Sequence, residues 1–334
     1  MTVEERYNQF QSELAPLIID FVKEKKSLGF KYESTMAILL RFDSYCCDKS
    51  LENRIITKDF LDDWMKQSDG EGVDGHKSRM SAVRQFLLYM ASLGYTVYIP
   101  RGFSARKITL PHIFTMEEEQ ELFKVIDDYS PRSDTKYKKR MAKEYKVLFR
   151  LYAGTGVRNQ EGCGIATKNV NLRDGVLMII DAKGQKDRLV YMSQDLTVLC
   201  RNYYDWLCKE LGCIPEWFFP GKYPDKPIRN TSVDRVLASF WSMTSFAAQC
   251  SNKPTVHDFR FSFVTHKFDE WERKGAEIEG MMPYLSAYLG HKSVSDTYYY
   301  HHLYVEALKQ IKQKDRVSDD VIPEVRKHGQ EEYS

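Results

Sequence analysis

No stretch of this chain approaches the roughly 20 uninterrupted apolar residues a membrane helix requires, so a membrane span is not expected. The N-terminus, Met1-Thr2-Val3-Glu4-Glu5-Arg6, lacks the basic-then-apolar run of a secretion signal, which points to the cytoplasm. Excess charge is lacking too: 49 Lys and Arg against 47 Asp and Glu leave a formal +2, so no global field announces a polyanion partner. The seven cysteines, Cys46, Cys47, Cys163, Cys200, Cys208, Cys213 and Cys250, show no C-x-x-C pairing and are odd in number. That excludes a zinc knuckle and a disulfide framework, and they are expected as buried thiols. There is no Gly-x-x-x-x-Gly-Lys-Ser/Thr loop to cradle a nucleotide, no internal repeat and no low-complexity tract.

What is present suits two domains: 334 residues, 43% of them apolar, are enough for a core in each. Leu14, Leu17, Ile18, Phe21 and Val22 recur on one helical face, Leu39, Leu40 and Phe42 mark a second helix, and Phe60, Leu61 and Trp64 a third. A fourth runs from about His76 to Leu93 with an apolar face and a basic start. Together they predict a helical bundle over residues 1–96. Pro100 and Gly102 then break the period among positive charges, as a linker over 97–112 would. Thr115-Met116-Glu117-Glu118-Glu119 offers a hydroxyl N-cap and first-turn acids, opening a second domain expected over 113–316. Within it Val176–Ile180 and Leu189–Met192 are β-prone runs around a turn containing Gly184, the pattern of a small hairpin. Residues 317–334 form a polar tail. The expected class is mainly α with a small β-hairpin or sheet, that is α+β.

Local basic clusters occur at Lys23-Glu24-Lys25-Lys26, from Arg101 to Lys107, and at Lys136-Tyr137-Lys138-Lys139-Arg140. Each alone is an ordinary solvated face. Arg79, Arg84, Arg101 and Arg106 are the candidates for contacts to a nucleic-acid backbone.

Five short strings in the second half carry polar residues suited to phosphate chemistry: Thr155-Gly156-Val157-Arg158-Asn159-Gln160-Glu161, Lys183-Gly184-Gln185-Lys186-Asp187-Arg188, His257-Asp258-Phe259-Arg260, Leu289-Gly290-His291, and Tyr298-Tyr299-Tyr300. Singly, each has a plain reading as a helix cap, a basic turn, a chance helical pair, a C-cap or packed aromatics. Their order and spacing together resemble the tyrosine recombinases, the lambda-integrase-like family: an Arg in G-x-R-x-x-E, a hairpin Lys in K-G-x-K-x-R, H-x-x-R, L-G-H, and a Tyr nine residues beyond that His. The run from Leu289 to Tyr300 is similar to integrases and transposases of bacterial mobile elements. Gly162-Cys163-Gly164 departs from the more apolar helix usual after the first box.

The chemistry asks for these residue types. In-line attack on a phosphodiester gathers negative charge on the nonbridging oxygens, which forked guanidiniums such as Arg158 and Arg260 can grip. Glu161, one helical turn from Arg158, can steer it. A free phenol has a pKa of about 10 and needs a base, for which His257 is the candidate. The resemblance implies that Tyr300 is the nucleophile, that Lys183 protonates the leaving 5′ oxygen, and that His291 completes the phosphate's hydrogen bonds. It further implies a core-binding (SAM-like) domain and a catalytic domain forming a C-shaped clamp on DNA. The activity implied is site-specific recombination or integration for a mobile element, through a 3′-phosphotyrosyl intermediate and a Holliday junction. The implied partner is duplex DNA with paired inverted sites, bound by a homotetramer in the nucleoid, with room for an accessory DNA-bending protein. No metal or cofactor is expected, because arginines neutralise the charge and the bond exchange is nearly isoenergetic. The alternatives are a type IB topoisomerase-like enzyme and a DNA-binding regulator without catalysis.

Overall fold

Helical periodicity accounts for most of the architecture. The computed structural model describes residues 6–30, 32–51, 53–102, 111–133, 135–180, 187–250 and 253–305, and the chain divides into two units, Met1–Ile108 and Thr109–Ser334.

The first unit is built from α1 (Ala15–Ser27), α2 (Glu33–Asp48), α3 (Lys58–Met65) and α4 (Val73–Ser92). Leu17, Ile18, Phe21 and Val22 of α1 meet Met36, Leu39 and Phe42 of α2 and Val83, Phe86, Leu87 and Met90 of α4 in one core. Phe21 and Phe42 both lean on the Phe86 ring, at 5.7 and 6.4 Å between centroids, the first tilted and the second in the edge-to-face geometry that aromatic quadrupoles favour. Thr57 caps α3 by accepting from the Phe60 N–H. The buried Asp43 carboxylate accepts from the Gln11 and Ser12 backbone and pins the approach to α1 onto α2.

The structure corrects the expectation for Arg79. Its guanidinium is buried in this unit. Nε and Nη2 grip both oxygens of Glu71 at 2.8 Å, Nη2 also donates to the Lys66 carbonyl at 2.8 Å, Nη1 donates to the Trp64 carbonyl, and the group lies over the Trp64 ring. Hydrogen bonds from Arg79 hold the Glu71 carboxyl at about 2. The arginine therefore ties the end of α3 to α4 and does not face a phosphate. Arg84 is half-buried, with Nε donating to the Pro100 carbonyl at 3.0 Å, and Arg101 is exposed. Arg106 lies outside the described residues.

In the second unit α5 (Met116–Asp128) starts in the capping box that Thr115 and Glu118 form. α6 (Lys136–Thr155) is the central helix, buried along much of its length and ended by Gly156 in the left-handed region at φ 63°. After α7 (Asn159–Cys163), strands β1 (Val170–Asn171), β2 (Val176–Ile179) and β3 (Arg188–Tyr191) make an antiparallel sheet in the order β1-β2-β3. Leu177 pairs with Val190 and both are buried, while Met178 and Leu189 pair on the exposed face. β1 was not expected, since two residues carry no legible alternation. Helices α8 (Gln194–Leu211), α9 (Asn230–Trp241), α10 (Val256–Arg273) and α11 (Ile278–Leu289) follow, and residues 294–305 form a further helix, α12. The fold is mainly helical with a small antiparallel sheet. α10 packs on α6, with Phe149, Phe240 and Phe259 in the main core and Val264, Phe268, Met282, Leu289, Tyr300 and Tyr304 in a second cluster.

Two local expectations change. Cys46, Cys163 and Cys200 are buried, but Cys47 and Cys213 are exposed and Cys208 and Cys250 half-buried. Consecutive helical residues point about 100° apart, so Cys46 and Cys47 cannot both face the core. The departure at Gly162-Cys163-Gly164 has a steric cause: a Cβ on Gly162 would sit 2.5 Å from Cε1 of the fully buried Tyr152. Tyr152 is itself fixed by donating to the Asn159 carbonyl at 3.1 Å. Gly162→Ala is expected to destabilise the fold by about 1–3 kcal/mol, as overpacked cores do, and denaturant unfolding checks it. An unchanged unfolding midpoint would show that the ring gives way freely.

Candidate active site

Arg260 lies in the second turn of α10, a helix anchored at its start by the Thr255–Asp258 capping box. Phe259 beside it fills the main core, so Arg260 is carried inward and is only 1% exposed. A buried guanidinium must spend its donors. Nη1 donates to the Gly156 carbonyl at 2.8 Å, Nη2 to the Leu289 carbonyl at 2.7 Å and to His291 Nε2 at 3.0 Å, and Nε to the Tyr300 hydroxyl at 3.3 Å. Four of the five sequence strings thus supply partners or the group itself: the first gives Gly156, the third Arg260, the fourth Leu289 and His291, the fifth Tyr300. Burial lowers the pKa of this guanidinium, offset in part by Tyr300.

Arg158 is the N-cap of α7. Its backbone N–H donates to Glu161 Oε2 at 2.9 Å, Nη1 donates to Glu161 Oε1 at 2.8 Å, and Nη2 to the Gly290 carbonyl at 3.2 Å. Glu161 also receives a two-pronged grip from Arg188, Nη1 to Oε1 at 3.0 Å and Nη2 to Oε2 at 2.7 Å. Burial pushes the Glu161 carboxyl up, but Arg188 and then Arg158 outweigh it and hold it at about 2. One carboxylate therefore orients two guanidiniums, and with Arg260 the site keeps an excess of positive charge. Arg188 Nε donates to the Tyr288 carbonyl at 2.8 Å. Gly290 ends α11 at φ 65°, and a Cβ there would meet Arg188 Cδ at 2.9 Å, so both backbone and space require glycine.

His291 follows. An arginine has no lone pair, so His291 Nε2 must accept from Arg260, and the ring proton sits on Nδ1, which donates to Thr297 Oγ1 at 2.7 Å. Burial lowers its pKa to about 4, with Arg260 and Arg158 adding to the effect. The ring is thus neutral at neutral pH. An unfolded chain binds this proton near the ordinary 6.5 and the folded one only near 4, so the unfolded state holds more protons between those values. Stability is therefore present above about 6.5 and lost as pH falls toward 4. The melting temperature should fall by about 2–4 °C across that window, discounting for partial exposure. His291→Gln, which keeps an acceptor for Arg260, should flatten this slope, and an unaltered slope in the variant would assign it to other groups.

The three adjacent tyrosines differ sharply. Tyr298 and Tyr299 are 44% and 48% exposed, whereas Tyr300 is 8% exposed. The Tyr300 ring stacks on His291 at 5.4 Å and 22°, and against Phe261 at 4.6 Å. Thr297, Tyr300, Leu303 and Tyr304 form the buried stripe of α12, and this spacing turns Tyr300 toward Arg260. His257 is exposed in the first turn of α10, edge-on to Phe261 at 5.1 Å, so one ring separates it from Tyr300. A cleft lined by Arg188, Leu189, Tyr191, Tyr284, Tyr288 and His291 opens beside this group. Lys183 and Lys186 lie outside the described residues.

Sequence reasoning missed Arg188 and Thr297. Arg188 ends the Lys183 string, so a basic residue closing that turn was the available signal. Thr297 had none, because its role is set by a helix packing back on His291.

A family model described as the phage integrase family matches residues 113–307, more than half the chain. A putative integrase/recombinase, y4rB, of Sinorhizobium fredii is 25% identical over 289 residues, covering 84% of this chain and 90% of that protein. A tyrosine recombinase of Agathobacter rectalis is 30% identical over 187 residues, 55% of this chain and 56% of that protein. Among solved structures, the Tn1549 transposon integrase in complex with transposon right end DNA has a TM-score of 0.60 at 12% identity, covering 85% and 93% of the two chains. A lambda integrase dimer bound to a core site has a TM-score of 0.57 at 15% identity, covering 96% and 99%.

Proposed function

The chain belongs to the phage integrase family, and from that premise we propose that it is a site-specific DNA recombinase whose reacting centre is the Arg158, Arg260, His291 and Tyr300 cluster. The observation that carries this reading is the Arg260 side chain, which holds the Tyr300 hydroxyl, His291 and the backbone of two other motifs on one guanidinium. Its positive charge, with that of Arg158, suits a phosphate about to gain a fifth oxygen neighbour.

The Tyr300 oxygen attacks phosphorus, the new Tyr–O–P bond replaces the P–O5′ bond, and the DNA is left as a 3′-phosphotyrosyl end with a free 5′ hydroxyl. Reversal by a 5′ hydroxyl from another strand reseals the backbone, so no nucleotide is consumed. His257 takes the phenolic proton and Lys183 supplies one to the leaving oxygen. Neutral His291 carries one ring proton, on Nδ1 toward Thr297 Oγ1, and this is the proton it can offer to a phosphate oxygen. The substrate is duplex DNA bound by several copies of the chain. Four copies on paired inverted sites, exchange through a Holliday junction, a mobile-element setting, and action at the nucleoid, with or without a DNA-bending helper, complete the reading.

A plasmid carrying paired sites from the flanks of the gene should be recombined, while a supercoiled plasmid without them should stay supercoiled. Efficient relaxation of the latter would instead assign a topoisomerase. The acid is tested separately. Lys183→Ala should cleave ordinary DNA roughly 100-fold more slowly or worse, and recover on DNA whose bridging 5′ oxygen is sulfur, a leaving group that needs no proton. Rescue of Lys186→Ala in place of Lys183→Ala would move the role to the second lysine.

A further inference from the structure

Away from the phosphate site, three side chains form a relay that recombination does not use. Glu118 Oε2 accepts from His112 Nε2 at 3.1 Å and from the Thr115 backbone N–H at 2.9 Å. His112 Nδ1 faces Cys250 Sγ at 3.6 Å. The imidazole is wedged edge-on between Phe114 at 4.8 Å and Trp241 at 5.1 Å, which restricts its rotation.

The direction of the protons follows from the partners. Burial pushes the Glu118 carboxyl up, but the hydrogen bonds from His112 and Thr115 more than reverse this and keep it below its ordinary range. An ionised carboxylate only accepts, so His112 Nε2 carries a ring proton, and in the neutral imidazole Nδ1 presents a lone pair. In that tautomer the thiol is the donor of the 3.6 Å contact to Nδ1. A nucleophile whose proton points at a base, with the base oriented by a third group, is the arrangement that activates thiols. Cys250 is half-buried, whereas Cys47 and Cys213 are exposed and belong to no such relay among the described residues.

We propose that Cys250 is a reactive thiol, activated by the His112–Glu118 pair, that exchanges with low-molecular-weight disulfides and so makes this recombinase reversibly sensitive to thiol redox state. In the exchange the Cys250 proton passes to His112 Nδ1, a bond forms between Sγ and one sulfur of the disulfide, the original S–S bond breaks, and the departing thiolate takes the proton from His112. Excess thiol runs the step backwards. No external oxidant beyond the disulfide is needed. The adduct acts on catalysis through packing. Phe114, two residues from His112, donates its N–H to Ser262 Oγ at 2.9 Å and stacks on Phe259 at 4.7 Å, and both belong to the helix that carries His257 and Arg260. Displacing His112 loosens that seat.

The test uses the full chain. Brief treatment with iodoacetamide followed by peptide mapping should label Cys250 at least about tenfold faster than exposed Cys213 and Cys47, less than the roughly 10²–10⁴-fold that a positioned general base gives a bound substrate. Equal or slower labelling of Cys250 in the wild-type protein overturns the proposal without recourse to any variant. His112→Phe keeps the edge contacts and removes the base, and should bring Cys250 to the rate of Cys213. Unaffected labelling in that variant would show that His112 plays no part. Glutathione disulfide should slow strand cleavage by the wild-type enzyme, reversibly with excess glutathione, and leave Cys250→Ser unaffected. Undiminished cleavage by protein fully modified at Cys250 would refute the redox control.

Discussion

Tyr300→Phe is expected to lose the covalent DNA adduct altogether, a fall on the order of 10⁴-fold or more in strand cleavage, as removal of a nucleophile does in other enzymes. The change deletes one oxygen. The ring keeps its stacking on His291 and Phe261, and among the described residues the hydrogen bond forfeited is the 3.3 Å contact from Arg260 Nε, so stability should change by about 1 kcal/mol or less. Binding to a recombination site should persist, because phosphate contacts elsewhere supply most of the affinity. Tyr298→Phe and Tyr299→Phe alter exposed rings on other faces of α12 and should form the adduct as wild type does. A nicked substrate that traps the phosphotyrosyl end, followed by denaturing gel and peptide mapping, decides the matter. DNA mapped to Tyr298 or Tyr299, or an adduct surviving in Tyr300→Phe, would overturn the assignment.

Arg260→Ala should damage both the chemistry and the fold. Removing a positioned donor to a developing oxyanion costs about 10²–10³-fold in rate. The same truncation strips the Gly156 and Leu289 carbonyls of their partner, and buried acceptors left without donors cost about 1–3 kcal/mol each, so a loss of about 2–4 kcal/mol is expected once water refills part of the space. Arg260→Lys separates the two effects. It restores a cation and some of the hydrogen bonds, and so should regain more of the stability than of the cleavage rate, because the ammonium cannot reproduce the fork. Cleavage measured well below the melting temperature of each variant provides the comparison. If the folded Arg260→Ala protein cleaves within a few-fold of wild type, the guanidinium is structural and the phosphate is held elsewhere.

Short-range patterns made much of this legible. The helices of the first unit, the capping box at Thr115, the paired runs around Gly184 and the ordered polar strings all follow from spacing within a few residues, because side-chain direction along a helix or strand repeats with a local period. By itself the sequence determined the helical class, the small sheet, the family resemblance and the residue types a phosphodiester exchange requires. It did not determine which basic groups face a ligand. Arg79 looked like a surface contact and is an internal tie, since its fate depends on Glu71, Trp64 and Lys66 folding around it. Arg188 looked like the end of a basic turn and is the second grip on Glu161. Three consecutive tyrosines are equivalent as text, and only the docking of α12 on α10 and α11 turns Tyr300 inward. Arg260 reaches Gly156 across 104 positions, and Arg158 reaches Gly290 across 132. Such contacts have no local signature, because what satisfies a buried donor is whatever backbone the tertiary fold brings within about 3 Å of it.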